Sequence, residues 1–382
     1  MSISLLVTCE KQQELDDLEK VIVELRKVDE SISVFLVNLT HFTGEALVPS
    51  LEIFDEIISP KALFTKAYYK LGLFKKVITI FYGIKTLLSL IKKKHITHVL
   101  YGVSIVFFRG LSFIPLRKYK TFSYIRSTIT SDNLKRQKLP NFIIRLLNSI
   151  WLTKTYTADY FFCMDDSTKE YIRGLYPESD EYKIQKIGSI YSYDLLMTRA
   201  LRQDEIQEDE RKTTNICFLS SAFSWHGDEQ AGNEQLFIIE ELLRKVQQFN
   251  LSTLGDLRMT IKLHPRDSIE TYNDLIEEEG LEILSEMNIK GLDDSYCFIS
   301  VLSTMSSELS MAGFKSLYVC NDFFKKKYTN WYDKNNVKPI DIFGNKVIEK
   351  IIYSQADNSF SLDGNIAPHK VLALFLINGT NQ

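Results

Sequence analysis

The stretch Met259-Thr-Ile-Lys-Leu-His-Pro-Arg-Asp267 begins as a short apolar strand and ends in a His-Pro-Arg turn. Proline lacks the N–H group that a central strand needs, and it holds the preceding residue extended. His264 is therefore expected at the carboxyl end of a strand. In an open α/β sheet, ligands bind outside that edge. The alternative is a strand that simply stops at His-Pro, and the rest of the chain must decide between the two.

Strand-like apolar runs alternate with helical periods on both sides of this stretch. The predicted strands lie near residues 3–8, 32–39, 54–58, 97–101, 121–126 and 159–164, and then near 215–219, 259–263, 281–284, 297–302 and 316–320. The predicted helices lie near residues 13–28, 61–94, 139–152, 167–174, 233–249, 269–279, 305–312 and 366–377. This alternation predicts parallel sheets covered by helices on both faces.

The length of 382 residues favours two domains over one core. Residues 199–213 are almost all charged or polar and are the predicted linker. We therefore predict an α/β protein with two Rossmann-like domains facing a central cleft, one at 1–198 and one at 214–382. The last helix is a candidate to cross back over the domains.

Cysteine usage and hydropathy indicate a cytoplasmic protein. The five cysteines are widely spaced, and no pair has the spacing of metal ligands. The amino terminus lacks a basic region and reads as a strand instead of a signal peptide. No uncharged apolar run reaches the roughly 18 residues that a membrane span requires.

The charge is distributed very unevenly. Between Lys61 and Lys154 there are 19 basic residues and one acidic residue, Asp132, so this segment carries +18 while the rest carries −21. Such a field predicts an anionic partner, although a merely solvated basic face is the alternative. Phe and Leu recur at helical spacing among the lysines, which favours an anionic lipid surface or an anionic polymer over nucleic acid.

Three loops follow strands of the second half and should open onto the same sheet edge. The first holds His226, Asp228 and Glu229 on a glycine-bearing turn, where a carboxylate is a candidate general base. A solvated turn that starts a helix is the plainer interpretation of this loop.

The second and third loops suit a phosphate. In His264-Pro265-Arg266 the imidazole can donate a hydrogen bond to a phosphate oxygen. In Ser303-Thr-Met-Ser-Ser307 hydroxyls precede a helix, whose amino terminus attracts anions. A plain helix cap explains one of these hydroxyl residues but not four in five positions.

The order of these motifs resembles that of bacterial sialyltransferases and the related polysialic acid and Kdo transferases of the GT-B fold. His264-Pro265 matches the His-Pro motif of that family, and Ser303-Thr304, or less directly Ser306-Ser307, matches its hydroxyl motif. Asp228-Glu229 departs from the acidic motif because Gln-Ala-Gly follows it where the family has Gly at once. The resemblance covers about residues 215–320.

The resemblance implies an inverting, metal-independent transfer of an acidic sugar, sialic acid or a related nonulosonate or Kdo, from a CMP-activated donor. The acceptor would be an oligosaccharide or lipid-linked glycan of a capsule or lipopolysaccharide. Asp228 or Glu229 would be the base, with Asp132 as a rival, and His264 would donate to the CMP phosphate. The implied nucleotide-binding residues are His264, Pro265, Arg266, Ser303, Thr304, Ser306 and Ser307. No cofactor or metal is expected.

The basic first half is then expected to receive the acceptor at the inner face of the cell membrane. The predicted acceptor contacts are Arg126, Lys135, Arg136 and Lys138. Two other functions stay open on the sequence, a CDP-glycerol or CDP-ribitol phosphotransferase of the teichoic-acid type and a non-catalytic glycan-binding module with the same fold. No nucleic-acid partner is expected.

Overall fold

A computed structural model gives the structure of the chain. It describes residues 3–378 except 10, 41–46, 62, 67–70, 103–110, 112–113, 115–116, 127–156, 178, 204–214, 225–227, 265, 285–294, 335–336 and 355–365. The chain divides into two compact units, Met1–Ile190 together with Ile366–Gln382, and Tyr191–Asn365. We call them the first and the second domain.

The described strands and helices alternate through both domains. The strands are β1 Ser4–Thr8, β2 Ser33–Val37, β3 Glu56–Ile58, β4 His98–Tyr101, β5 Lys120–Ile125, β6 Tyr160–Cys163, β7 Ile184–Lys186, β8 Asn215–Leu219, β9 Arg258–Lys262, β10 Glu282–Ile283, β11 Tyr296–Ser300, β12 Ser316–Cys320 and β13 Ile340–Asp341. The helices are α1 Gln12–Val28, α2 Leu73–Lys93, α3 Asp166–Leu175, α4 Ile190–Gln203, α5 Glu229–Thr253, α6 Asn273–Glu277, α7 Thr304–Met311, α8 Asp322–Lys334, α9 Val347–Tyr353 and α10 Pro368–Asn378.

The first domain holds a seven-stranded parallel sheet in the order β3-β2-β1-β4-β5-β6-β7. β1 and β4 are neighbours although two helices and two strands separate them in sequence, so the strand order reverses between them. The central strands are buried on both faces, which explains their continuous apolar sequences. One core forms where the apolar stripe of α1 meets α10, through Leu15, Leu18 and Ile22 on α1 and Leu372, Ala373 and Leu376 on α10.

The second domain repeats the same topology. Its six-stranded parallel sheet has the order β10-β9-β8-β11-β12-β13, and the order reverses between β8 and β11. α5 covers one face of this sheet through Ile238, Ile239 and Leu242, which are fully buried against Phe218 and Ile261 of the strands.

The structure confirms the predicted fold class of two Rossmann-like α/β domains with parallel sheets. Every predicted strand is present, while the short strands β7 and β13 were not predicted. The division between the domains falls at the start of α4, before the segment expected as the linker. Residues 199–203 of that segment continue α4, and 204–213 lie outside the described residues. The amphipathic spacing of 190–203 explains this difference, since Ile190 and Leu195 are buried.

Two further expectations from the sequence concern a membrane-spanning helix and the state of the cysteines. None of the described helices combines the length and the apolar character that crossing a bilayer requires. All five cysteines are buried, and burial raises the pKa of the Cys163 and Cys297 thiols to about 12. These thiols therefore stay protonated at neutral pH and behave as core residues.

Candidate functional site

The candidate site lies at the carboxyl edge of the second sheet, where the strand order reverses between β8 and β11. Ser221 follows β8, and its hydroxyl donates to the carbonyl oxygen of Leu302, which follows β11, at 2.9 Å. The buried Gln235 of α5 holds the same turn from the other side, since the Ser221 N–H donates to its Oε1 at 2.9 Å. In this fold, ligands bind in the crevice at such a reversal.

His264 lies one strand away, directly after β9, as the sequence predicted. Its backbone N–H donates to the Ser220 hydroxyl at 2.8 Å, which ties the turn after β9 to the end of β8. Its Nδ1 accepts the backbone N–H of Arg266 at 3.1 Å. Because Nδ1 acts as an acceptor, the neutral imidazole carries its proton on Nε2. In this tautomer Nε2 is the donor nitrogen of the His264 ring.

Asp267 fixes this turn and was missed as a site residue by the sequence analysis. Its Oδ2 accepts the Ser220 hydroxyl at 2.7 Å and the Tyr272 hydroxyl at 2.6 Å. Gln235 donates in turn to the Tyr272 oxygen at 3.1 Å. Burial and the neighbouring Asp267 raise the pKa of Tyr272, so its hydroxyl stays protonated and remains a donor. Ser220, Asp267, Tyr272 and Gln235 thus form one hydrogen-bond network, which we call the Asp267 network.

The Ser/Thr turn after β11 divides into two pairs of hydroxyls. The Ser306 hydroxyl bonds the Ser300 hydroxyl at 2.7 Å inside the fold, and the Ser307 hydroxyl bonds that of Tyr318 at 2.7 Å. Ser303 is the residue before α7, and its side chain makes no capping bond to the helix. Thr304, the first residue of α7, is exposed. Ser303 and Thr304 therefore lie where a helix amino terminus can accept an anion.

Asp228 lies at the start of α5 and is held by neighbours on both sides. It caps the helix by accepting the Ala231 N–H at 3.3 Å, and Lys327 of α8 approaches its two oxygens at 2.8 and 2.7 Å. Glu229 is exposed in the first turn of the same helix. These contacts explain Asp228 structurally as a helix cap, and its role as a base stays a prediction, as does that of Glu229.

The predicted acceptor contacts fall mostly outside the described residues. Arg126 follows β5 and is buried, with its Nε 3.6 Å from Oδ2 of the buried Asp17 on α1. An arginine held in this way supports the first domain from within, which its position in a basic segment did not reveal. Six residues that the sequence analysis singled out lie outside the described part of the chain: Asp132, Lys135, Arg136, Lys138, His226 and Pro265.

No protein-family model matches this chain, and no curated protein matches it by sequence. Solved structures match it over its full length. The UDP-GlcNAc 2-epimerase of Neisseria meningitidis bound to UDP-GlcNAc has a TM-score of 0.59 at 15% identity, covering 98% of this chain and 99% of that chain. The UDP-GlcNAc 2-epimerase of Methanocaldococcus jannaschii in complex with UDP-GlcNAc and UDP has a TM-score of 0.57 at 12% identity, covering 99% of both chains.

A third similar structure, from Listeria monocytogenes, is attributed the same epimerase activity. Its TM-score is 0.62 at 12% identity, covering 100% of this chain and 96% of that chain. At these identities the similarity establishes the fold.

The comparisons contradict the predicted sialyltransferase-like identity. The similar structures are UDP-GlcNAc 2-epimerases, so transfer from a CMP-activated sugar is wrong as the expected function, and a CMP-sugar is wrong as the expected donor. The teichoic-acid and glycan-binding alternatives fit these structures no better. The physical reason is that a histidine at a strand end and hydroxyls at a helix start are suited to any phosphate. The expectation that no metal is needed stays a prediction.

Proposed function

We propose that this chain is an enzyme that acts on a UDP-activated sugar, and that its reaction is the C2 epimerisation of UDP-GlcNAc. The observation that carries the proposal is the reversal point of the second sheet, with the start of α7 beside it and His264 one strand away, in a chain that matches UDP-GlcNAc 2-epimerases over its full length. Two of those structures hold UDP-GlcNAc.

The diphosphate is the part of the ligand that the described residues explain best. The start of α7 offers backbone N–H groups and the Ser303 and Thr304 side chains, with no side-chain cap competing for them. His264 adds a side-chain donor, the Nε2–H that the contact with Arg266 assigns to it. It lies after β9, the strand that pairs with β8. A diphosphate group carries the negative charge that such donors favour.

The same arrangement serves the chemistry of C2 inversion. Inversion passes the C2 proton to a base and later returns a proton to the opposite face of C2. The electron pair left at C2 moves toward C1 as the C1–O bond to the diphosphate weakens, and that bond re-forms when the proton returns. Donors that hold the diphosphate stabilise the negative charge that this weakening places on it. His264 and the start of α7 therefore contribute both binding and stabilisation of the leaving phosphate.

Ligand binding is tested by thermal unfolding of the full chain with UDP, UDP-GlcNAc, UMP and CMP. A ligand at about 100 times its Kd stabilises a two-state fold by roughly 2.7 kcal/mol, which is a measurable shift in Tm. We expect a shift with UDP that exceeds the shift with CMP and is lost in His264→Ala. The matched control is His95→Ala, an exposed histidine of the first domain, which should keep the shift.

The reaction is tested by proton NMR of UDP-GlcNAc incubated with the enzyme in D2O. We expect deuterium at C2 together with the appearance of the C2 epimer. Binding of UDP without exchange at C2 would reject the epimerisation and leave a UDP-sugar site. The absence of a response to UDP and UDP-GlcNAc would reject the proposed function as a whole.

A further inference from the structure

The helix α2 presents two different faces. Ile80, Leu87 and Ile91 point inward and belong to a core with Val99 and Tyr101 of β4. A helix that is held to the domain by one stripe normally shows polar residues on its other side. The outer side of α2 departs from that rule.

Large apolar side chains stand on the outer side of the first half of α2. Phe74 and Phe81 are 78% and 65% exposed, and Val77 and Ile78 between them are also exposed. Residues 74, 77, 78 and 81 are spaced so that they fall on one stripe of a helix. Two phenylalanines this exposed, about two turns apart with Val77 and Ile78 between them, form an apolar patch, which a protein surface in water rarely keeps without a partner.

Lysines continue the same stripe through the second half of α2. Lys85 and Lys92 follow Phe81 at helical spacing, with Lys93 beside them, and all three are exposed. Within the described residues, no carboxylate forms an ion pair with any of them. Lys94, by contrast, is bonded to Glu56 of β3 and is not part of the set. We call Phe74, Val77, Ile78, Phe81, Lys85 and Lys92 the outer face of α2.

We propose that the outer face of α2 docks the protein on the surface of a bilayer that contains anionic lipids. The phenylalanines would enter the boundary between head groups and acyl chains, and the lysines would remain at the level of the phosphates. Charge selects this occupant, since the segment from Lys61 to Lys154 has 19 basic residues and one acidic residue. Apolar burial and lysine attraction to anionic lipid reinforce each other in such a helix.

The stripe also argues against nucleic acid as the partner. Two phenylalanines and two branched aliphatic residues at one end of the stripe offer apolar area, which a phosphate backbone does not cover. A bilayer accepts both ends of the stripe at once. The docking does not depend on the proposed UDP-sugar chemistry and is tested separately from it.

The test is co-sedimentation of the full chain with vesicles of phosphatidylcholine alone and of phosphatidylcholine with about a third phosphatidylglycerol. We expect binding to the anionic vesicles that weakens as salt is added. Phe74→Ser with Phe81→Ser should reduce the partition constant at least about tenfold. Lys85→Gln with Lys92→Gln should reduce it by about fivefold per lysine and make the binding less sensitive to salt.

Matched controls come from the second domain. Leu251→Ser replaces an apolar side chain that is 82% exposed on α5, and Lys326→Gln removes an exposed lysine of α8. Both should bind vesicles like the unaltered chain. The proposal is overturned if the chain ignores anionic vesicles, if it binds neutral ones equally well, or if the two double variants bind as the controls do while all keep the same Tm. Binding to duplex DNA without binding to vesicles would also overturn it.

Discussion

The substitution Ser220→Ala tests the Asp267 network most directly. The Ser220 side chain is almost fully buried, with 4% of its surface exposed. Its oxygen accepts the His264 N–H at 2.8 Å and its hydroxyl donates to Asp267 at 2.7 Å. Alanine removes both bonds and fills nearly the same space, so packing changes little.

The expected cost follows from the two bonds. A neutral hydrogen bond contributes about 1 kcal/mol to stability and a bond to a charged group about 1.5–3 kcal/mol. Ser220→Ala should therefore lower the free energy of unfolding of the second domain by about 2–4 kcal/mol. Since the His264 turn loses its link to β8, the affinity for UDP should fall as well.

Urea unfolding followed by tryptophan fluorescence measures this loss. Trp331 of the second domain packs against Tyr318 and Tyr332, so its fluorescence reports on the unfolding of that domain. Ser310→Ala in α7 is the control and should change stability by less than about 0.5 kcal/mol. A cost for Ser220→Ala no larger than that of the control would refute the network as the support of the His264 turn.

Three further predictions concern stability. Burial lowers the pKa of His98 from 6.5 to about 4, so between these pH values the unfolded chain binds a proton that the folded chain does not. The free energy of unfolding should therefore rise by up to about 3 kcal/mol between pH 4 and 6.5. In a pH series of urea titrations, His98→Gln should remove this dependence on pH. Gly313 ends α7 with φ of 78°, so Gly313→Ala should cost about 1–2 kcal/mol in the same assay. Asp228→Ala should lower the free energy of unfolding by about 1 kcal/mol through the lost helix cap. Asp228→Asn still caps the helix, and Lys327→Ala removes only a partly exposed ion pair, so each should lower it by less. Equal losses of stability for the three variants would contradict the capping role.

The sequence predicted the sheets well because their strands are buried on both faces. Apolar runs such as Tyr160–Cys163, which is buried at every position, are visible without any partner. β7 and β13 are short and partly exposed at sheet edges, and they carry no such signal. The helix α4 has a weaker signal because its last residues, from 199 onward, belong to a charged and polar segment whose composition is typical of a linker.

The sequence predicted the sheet edge at which His264 and the Ser303 turn lie, whereas the roles of these residues stay predictions and the expected CMP-sugar was wrong. Strand order places His264 and the Ser303 turn at one edge whatever they bind, since parallel strands share that edge. Phosphate contacts are common to UDP and CMP, so the motifs could not distinguish the two nucleotides. The role of Asp267 depends on Ser220, which lies 47 positions earlier in the chain. Similarly, the burial of Arg126 beside Asp17 depends on a partner from another part of the fold.

The return of α10 to the first domain has a consequence for biosynthesis. A ribosome makes the residues of the first domain up to Ile190, then the whole second domain, and only then the helix whose Leu372 and Leu376 complete the core around α1. Domains generally fold as units as the chain emerges. The second domain is therefore completed before the first domain. Until α10 has been synthesised, the apolar side chains of α1 that pack against it stay uncovered. We expect chaperones that recognise nascent chains to bind the first domain during that interval.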